Sequence, residues 1–330
     1  MAELHLAKGE LKAESLRKGF GRGLLGLGQS QPQVVAACAD LTESTQMIHF
    51  AEAFPERFIE VGVAEQNLVT MAAGLAAMGK IPFVSSYAAF SPGRNWEQIR
   101  TTICINNRPV KIVGSHAGVS VGPDGATHQM LEDIALMRAL PNMVVIAPAD
   151  SLEAERAALA MAEHDQPNYL RLSRADTPIV TTAKTPFEIG KAYVYKTGKD
   201  ISLVATGTMT PQVLAAAAAL AKAGVEAEVV HVPTIKPLDA ETILASAAKT
   251  GHVITAEEAQ INGGLGGAVA ELLGEQLPTP MLRIGMRDHF GESGEPDELL
   301  QHFGLTAKHI ALAAQHLLSD HSNHAHRQAD

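Results

Sequence analysis

Met143-Val144-Val145-Ile146, then Ser151 through Glu163, then Asn168-Tyr169-Leu170-Arg171-Leu172, is the stretch that decides the fold. The first run is short, apolar at every position and β-branched after Met143, as suits a strand buried on both faces. The middle run is rich in Ala, carries Glu153 and Glu155 in its first turn, where the helix dipole favours negative charge, and has Ser151 in place to cap it. The third run is again mostly apolar. Strand, helix and strand in succession predict two parallel strands joined by a crossover helix.

The same alternation extends in both directions. Upstream, Gln33–Cys38, Ile81–Val84 and Val110–Val113 read as strands, with Ala64–Met78, Trp96–Cys104 and Gln129–Leu140 as helices. Downstream, Ile201–Ala205, Ala227–Val230, Val253–Thr255 and Met281–Ile284 read as strands between helical stretches that stop at Gly224 and Gly251. The expected fold is α/β with two doubly wound domains, 1–175 and 188–320. A Pro- and Thr-rich linker is expected at 176–187, and a polar, His-rich, flexible tail at 321–330.

Composition narrows the function classes. Of 330 residues, 46% are apolar and 19% charged, which suffices for full cores. Lys and Arg number 26 against 36 Asp and Glu, a net charge of −10. Such a surface repels polyanions, so a nucleic-acid partner and electrostatic attachment to a membrane are not expected. An anionic ligand needs a local cationic pocket. The two cysteines, Cys38 and Cys104, sit apart in apolar segments and suggest neither a disulfide scaffold nor a cysteine zinc site. No apolar run reaches the roughly 18 residues that span a bilayer, and the N-terminal residues lack a signal-peptide pattern. The expected compartment is the cytoplasm.

Four segments carry more chemistry than packing requires. Asp40-Leu41-Thr42-Glu43-Ser44 follows the first strand, at the edge where α/β sheets bind ligands, though Asp40, Thr42 or Ser44 could equally cap a helix. Gly62-Val63-Ala64-Glu65 places a carboxylate at the head of a helix, favoured there by the dipole or drawn into an apolar cleft. Residues 114–129 hold His116, Asp124 and His128 among several glycines, in a loop longer than a connection needs. That set suits a metal, a proton-transfer group or sugar hydroxyls, although a convincing fourth metal ligand is missing. Arg171 and Arg174 end a strand, and a guanidinium there can bond two oxygens of an anion.

Taken in order, these segments resemble the transketolase family of thiamine-diphosphate enzymes. The resemblance spans nearly the whole chain and rests on Gly62-Val63-Ala64-Glu65-Gln66-Asn67 and Val121-Gly122-Pro123-Asp124-Gly125-Ala126-Thr127-His128-Gln129. It extends to the pyrimidine-binding and C-terminal domains alone. The diphosphate-binding domain, with its Gly-Asp-Gly start and Mg²⁺ ligands, has no counterpart here. The chain therefore looks like the second subunit of a split transketolase. The resemblance implies a partner subunit that supplies the diphosphate and Mg²⁺ ligands, with two copies of each chain.

By the same resemblance, Glu65 is the glutamate that bonds the aminopyrimidine ring, Tyr87 and Phe90 stack on it, and Asp40 touches the cofactor. Ser44, His116, Arg174 and Arg17 bind the substrate phosphate, and Asp124 and His128 lie near the sugar hydroxyls and carbonyl. Catalysis falls to Glu65, His116 and His128, and no residue of this chain is expected to bind metal. The implied reaction is transfer of a two-carbon ketol unit from a ketose phosphate to an aldose phosphate. Alternatives are a 1-deoxyxylulose-phosphate synthase or a 2-oxoacid dehydrogenase β subunit, a split transketolase of an unusual sugar route, or a regulatory half without activity. For Glu257-Glu258 and the glycines from Gly263 to Gly267 a structural role is expected.

Overall fold

The computed structural model describes residues 4–327. In chain order its strands are β1 (Ala13–Ser15), β2 (Val34–Cys38), β3 (Phe58–Glu60), β4 (Ile81–Tyr87), β5 (Lys111–Ser115), β6 (Val144–Ile146) and β7 (Asn168–Arg171). They continue as β8 (Asp176–Pro178), β9 (Tyr193–Lys196), β10 (Ile201–Ala205), β11 (Ala227–His231), β12 (Thr234–Lys236), β13 (Val253–Gln260) and β14 (Met281–Met286). The first sheet has the order β12-β6-β7-β5-β4-β2-β3, and the second has β14-β13-β10-β11-β9. All neighbours in the first sheet are parallel except β12 on β6. In the second, only β9 on β11 is antiparallel.

The helices are α1 (Leu16–Ser30), α2 (Ile48–Ala53), α3 (Glu65–Ala77), α4 (Trp96–Gln98), α5 (Asp133–Arg138), α6 (Ser151–Ala162), α7 (Met209–Lys222), α8 (Ala240–Thr250), α9 (Leu265–Gln276), α10 (Pro296–His302) and α11 (Ala307–Arg327). Each sheet is covered on both faces, so the doubly wound expectation holds. On one face of the first sheet, Phe20 and Leu24 of α1 and Ala154, Ala157 and Met161 of α6 pack on Val34, Phe83 and Leu170. On the other, Leu68, Val69 and Ala72 of α3 pack with Val84, Ile112 and Ile134. A Cβ at Gly19 would lie 1.8 Å from the Ser151 carbonyl oxygen, so only glycine lets α1 approach α6 this closely.

Several local expectations change. Ser151 does not cap α6. The N-cap is Asp150, whose side chain accepts from the Glu153 amide at 2.9 Å and from the Val180 and Thr181 amides at 2.9 and 2.7 Å. The helix expected from Gln129 is confined to Asp133–Arg138, because the Met130 and Leu131 carbonyls accept from the Gly118 and Gln260 amides instead of helical partners, while the Gln129 side chain donates to the Val119, Gly122 and Glu292 carbonyls. Trp96–Cys104 begins as α4 and continues as a π-helix over Ile99–Cys104. The expected linker contains β8, which pairs with β1. The helical backbone of α11 runs to Arg327 through the expected tail; residues 328–330 lie outside the described part.

Candidate active site

The C-terminal ends of β2, β4, β5 and β7 lie side by side, and their loops carry the residues singled out by sequence. Glu65 opens α3 and is 2% exposed. It lies in a polar neighbourhood, with its Oε2 accepting from Arg94 Nη1 at 2.7 Å. Its backbone carbonyl accepts from Asn95 Nδ2 at 2.8 Å, and the same amide donates to Ser91 Oγ at 3.2 Å. The head of α3 is thus tied to the turn that follows β4.

That turn carries two half-buried rings, Tyr87 and Phe90, nearly parallel with centroids 6.1 Å apart. His116, from the end of β5, stacks on Tyr87 at 3.7 Å. His128 meets the edges of Phe90 and Tyr87 at 5.5 and 6.2 Å, and its Nδ1 is 2.9 Å from the Thr127 hydroxyl. Glu65, Tyr87, Phe90, His116 and His128 therefore form one contiguous network, joined through Arg94, whose guanidinium carbon lies 4.8 Å over the Phe90 ring.

A cationic group adjoins it. Arg17 Nη1 donates to the Ser44 carbonyl at 2.6 Å and Nη2 to the Arg174 carbonyl at 3.1 Å, while Arg174 Nη1 donates to the Val121 carbonyl at 2.7 Å. Arg17 Nε is buried without a partner. His116 is 2% exposed and hydrogen-bonded through Nδ1 to the Ser115 hydroxyl at 2.8 Å. Burial first, then the charges of Arg17, Arg174 and His128, lower its pKa from 6.5 to about 3. At neutral pH it is an uncharged imidazole that exchanges hydrogen bonds, and the positive charge beside it belongs to the two arginines.

Two further expected site residues are exposed, and Asp40 lines one cleft with Thr42, Ser44 and Glu60. Asp40 is exposed with φ 58°, and its amide donates to Glu60 Oε1 at 2.7 Å. Asp124 is exposed at the end of the 3₁₀ segment Val119–Asp124. Arg171, which sequence offered as a possible anion ligand, is consumed internally: Nε pairs with buried Asp133 at 2.9 Å and Nη2 donates to the Glu258 carbonyl at 2.8 Å. The site loop is held down by Glu258. Its Oε1 accepts from the Ser120 amide at 2.6 Å and its Oε2 from the Thr208 hydroxyl at 2.7 Å. Gly118 has φ +91°, and a Cβ there would sit 2.3 Å from Glu258 Oε1. Glu257 accepts from the Leu265 and Gly266 amides at 2.7 Å each, capping α9, so those two carboxylates are structural.

Sequence reasoning missed Arg94 and Glu60. Glu60 accepts from the Asp40 and Gly62 amides and from the Thr42 hydroxyl, joining the loops on either side of β3. The signal for Arg94 was its position four residues after Phe90, within the turn that carries both rings.

Residues 12–179 match the family model for the transketolase pyrimidine binding domain, and residues 190–310 the model for the transketolase C-terminal domain. The chain belongs to the transketolase family. A Methanocaldococcus jannaschii protein provisionally named a transketolase C-terminal section is 48% identical over 301 residues, covering 90% of this chain and 94% of that one. The 6-deoxy-6-sulfo-D-fructose transketolase subunit SqwH of Clostridium is 43% identical over 316 residues, covering 95% and 98%. A solved structure described as a split gene transketolase, inactive beta4 tetramer, superposes with a TM-score of 0.87 at 46% identity, covering 92% of this chain and 98% of that one. The family is thiamine-dependent, and these transketolase-family relatives are chains of the same two-domain extent. Among the described residues no helix is long and apolar enough to cross a membrane.

Proposed function

We propose that this chain is the pyrimidine-binding half of a split transketolase, active with a partner subunit that carries the diphosphate and Mg²⁺ ligands, and that it works on sugars ending in a phosphate or sulfonate. The observation that carries this reading is the buried Glu65 carboxylate, linked through Arg94 to the Tyr87–Phe90 ring pair, which His116 and His128 border. A flat aminopyrimidine, with π faces to stack and an edge of ring nitrogens and an amino group to hydrogen-bond, fits that combination of carboxylate and aromatic faces. A hard cation and a diphosphate want oxygen ligands, which the reading assigns to the partner. The names of the transketolase C-terminal section and of the SqwH subunit support this division, and the latter's substrate name supports a terminal oxyanion.

Thiamine diphosphate, when bound, supplies the electron sink that lets the bond next to a ketone carbonyl break. In this reading Glu65 bonds the pyrimidine ring nitrogen and sets where its protons reside. Tyr87 and Phe90 orient the ring and exclude water from its faces. His128, and neutral His116 through Nε2, donate to substrate oxygens on which negative charge develops. Arg17 and Arg174 supply the charge that an acidic protein otherwise lacks for a terminal anion. The assembly is assigned two copies of each chain.

The test mixes the chain with a diphosphate-domain subunit, thiamine diphosphate and Mg²⁺, and measures ketol transfer across a panel of phosphorylated and sulfonated ketoses. The chain alone should show negligible transfer, and Glu65→Ala should lower turnover in the assembly by several orders of magnitude. Full activity without a second subunit, or near-normal turnover in E65A, overturns the reading.

A further inference from the structure

The guanidinium of Arg94 engages the two groups that the reading above assigns to a bound ring, the Glu65 carboxylate and the Phe90 face. Its Nη1 donates to Glu65 Oε2 at 2.7 Å, and its central carbon stands 4.8 Å over the Phe90 face. The rest of the turn is fixed without it: Asn95 holds the Glu65 backbone and Ser91, and both Asn95 and Ser91 are buried. Arg94 itself has a side chain 48% exposed, against 2% for the carboxylate it pairs with. Removing it therefore leaves the architecture of the turn intact.

A guanidinium is a planar cation with N–H donors in its plane and faces that stack on aromatic rings. An aminopyrimidine bonded through its ring nitrogen to a carboxylate presents the same features to its surroundings. Both pair with the Glu65 carboxylate and pack on the Phe90 face. We propose that Arg94 is a placeholder: in the free chain it fills the pyrimidine position with a guanidinium of its own and must leave before the coenzyme ring settles. This rests on the reading of Glu65, Tyr87 and Phe90 given above and adds a property of the unassembled subunit. The contact keeps a buried carboxylate paired while no ligand is present, which an empty cleft would not do, and it weakens the free subunit's hold on the ring.

The full-length chain without partner is titrated with 4-amino-5-hydroxymethyl-2-methylpyrimidine and with thiamine diphosphate. Binding is read by calorimetry and by the emission of Trp96, the single tryptophan, two residues from Arg94. Arg94→Ala and Arg94→Gln should both bind the pyrimidine about tenfold more tightly than wild type, and the gain should vanish in the R94A/E65Q double variant. Affinity in both single variants equal to or weaker than wild type, undetectable binding by all three included, overturns the placeholder. So does a gain that survives E65Q. Such failure leaves the turnover test untouched: an assembly that loses ketol transfer in E65A while R94A binds no tighter keeps the function and discards the placeholder.

Discussion

His116 sits beside two guanidinium groups in a buried pocket, and that placement fixes its charge. Its pKa falls from 6.5 to about 3, so the unfolded chain takes up a proton over a range of pH where the folded chain refuses it. The native state then binds fewer protons than the unfolded state, and stability contributed at this position is full above pH 6.5 and lost as pH falls toward 3. Urea midpoints at pH 7.5 and 5.0 should drop for wild type more than for His116→Asn, which has no group titrating in that window. Equal drops would show that the imidazole is not held neutral. Sequence made His116 legible as a candidate because two histidines and an aspartate crowd a glycine-rich loop after a strand. Its charge state was not legible, because Arg17 and Arg174 approach it from segments about 100 and 58 positions away, a distance that only the folded sheet closes. Arg94 escaped notice for a similar reason: its meaning lies in the carboxylate it faces, 29 positions earlier.

Elements were easier to read from their interiors than from their ends. The Ala-rich run that marks α6 is a property of its own residues, but its cap is a property of what lies beside it. Ser151 is a good cap by residue type, yet Asp150 takes the role because its second oxygen can also reach the segment after β8. It accepts from the Val180 and Thr181 amides and its first oxygen takes the Thr181 hydroxyl as well as the helix amide. An ordinary cap is worth about 0.5–2 kcal/mol. Asp150 is fully buried and serves four donors, so Asp150→Ala should cost more, about 3 kcal/mol, by stranding buried amides. Chemical denaturation of D150A and S151A checks this. A loss in D150A no larger than in S151A would mean that the carboxylate only caps a helix. The same logic explains the short α5, since the Met130 and Leu131 carbonyls that a longer helix needs are taken by the Gly118 and Gln260 amides.

At the scale of the molecule, the division into two domains is legible in sequence, but their fusion is not. β12 belongs by sequence to the second domain, yet it pairs with β6 at the edge of the first sheet, and Ile235 in it joins the core packed around α3. Three residues give too short a signal for any periodicity to announce. Glu153 of α6 meets His231 of β11 at 2.7 Å, with both side chains fully buried, and the Glu258 carboxylate grips the loop at Ser120. A contact surface that contains a shared strand and buried polar pairs does not separate cheaply. Calorimetry of the full chain should therefore show one cooperative transition, with calorimetric and van't Hoff enthalpies in agreement. Ile235→Ala, which empties buried volume at the junction, should cost about 2–5 kcal/mol and move that single transition downward as a unit. Two resolved transitions, with only one displaced by I235A, would mean that the halves fold independently. The junction bears on the candidate site, because the loop carrying His116 and His128 is fastened from the second domain through Glu258. Loosening the junction should then widen that loop's motion before either core unfolds, which amide exchange at Ser120 in I235A would detect as protection lost ahead of the β-strand cores.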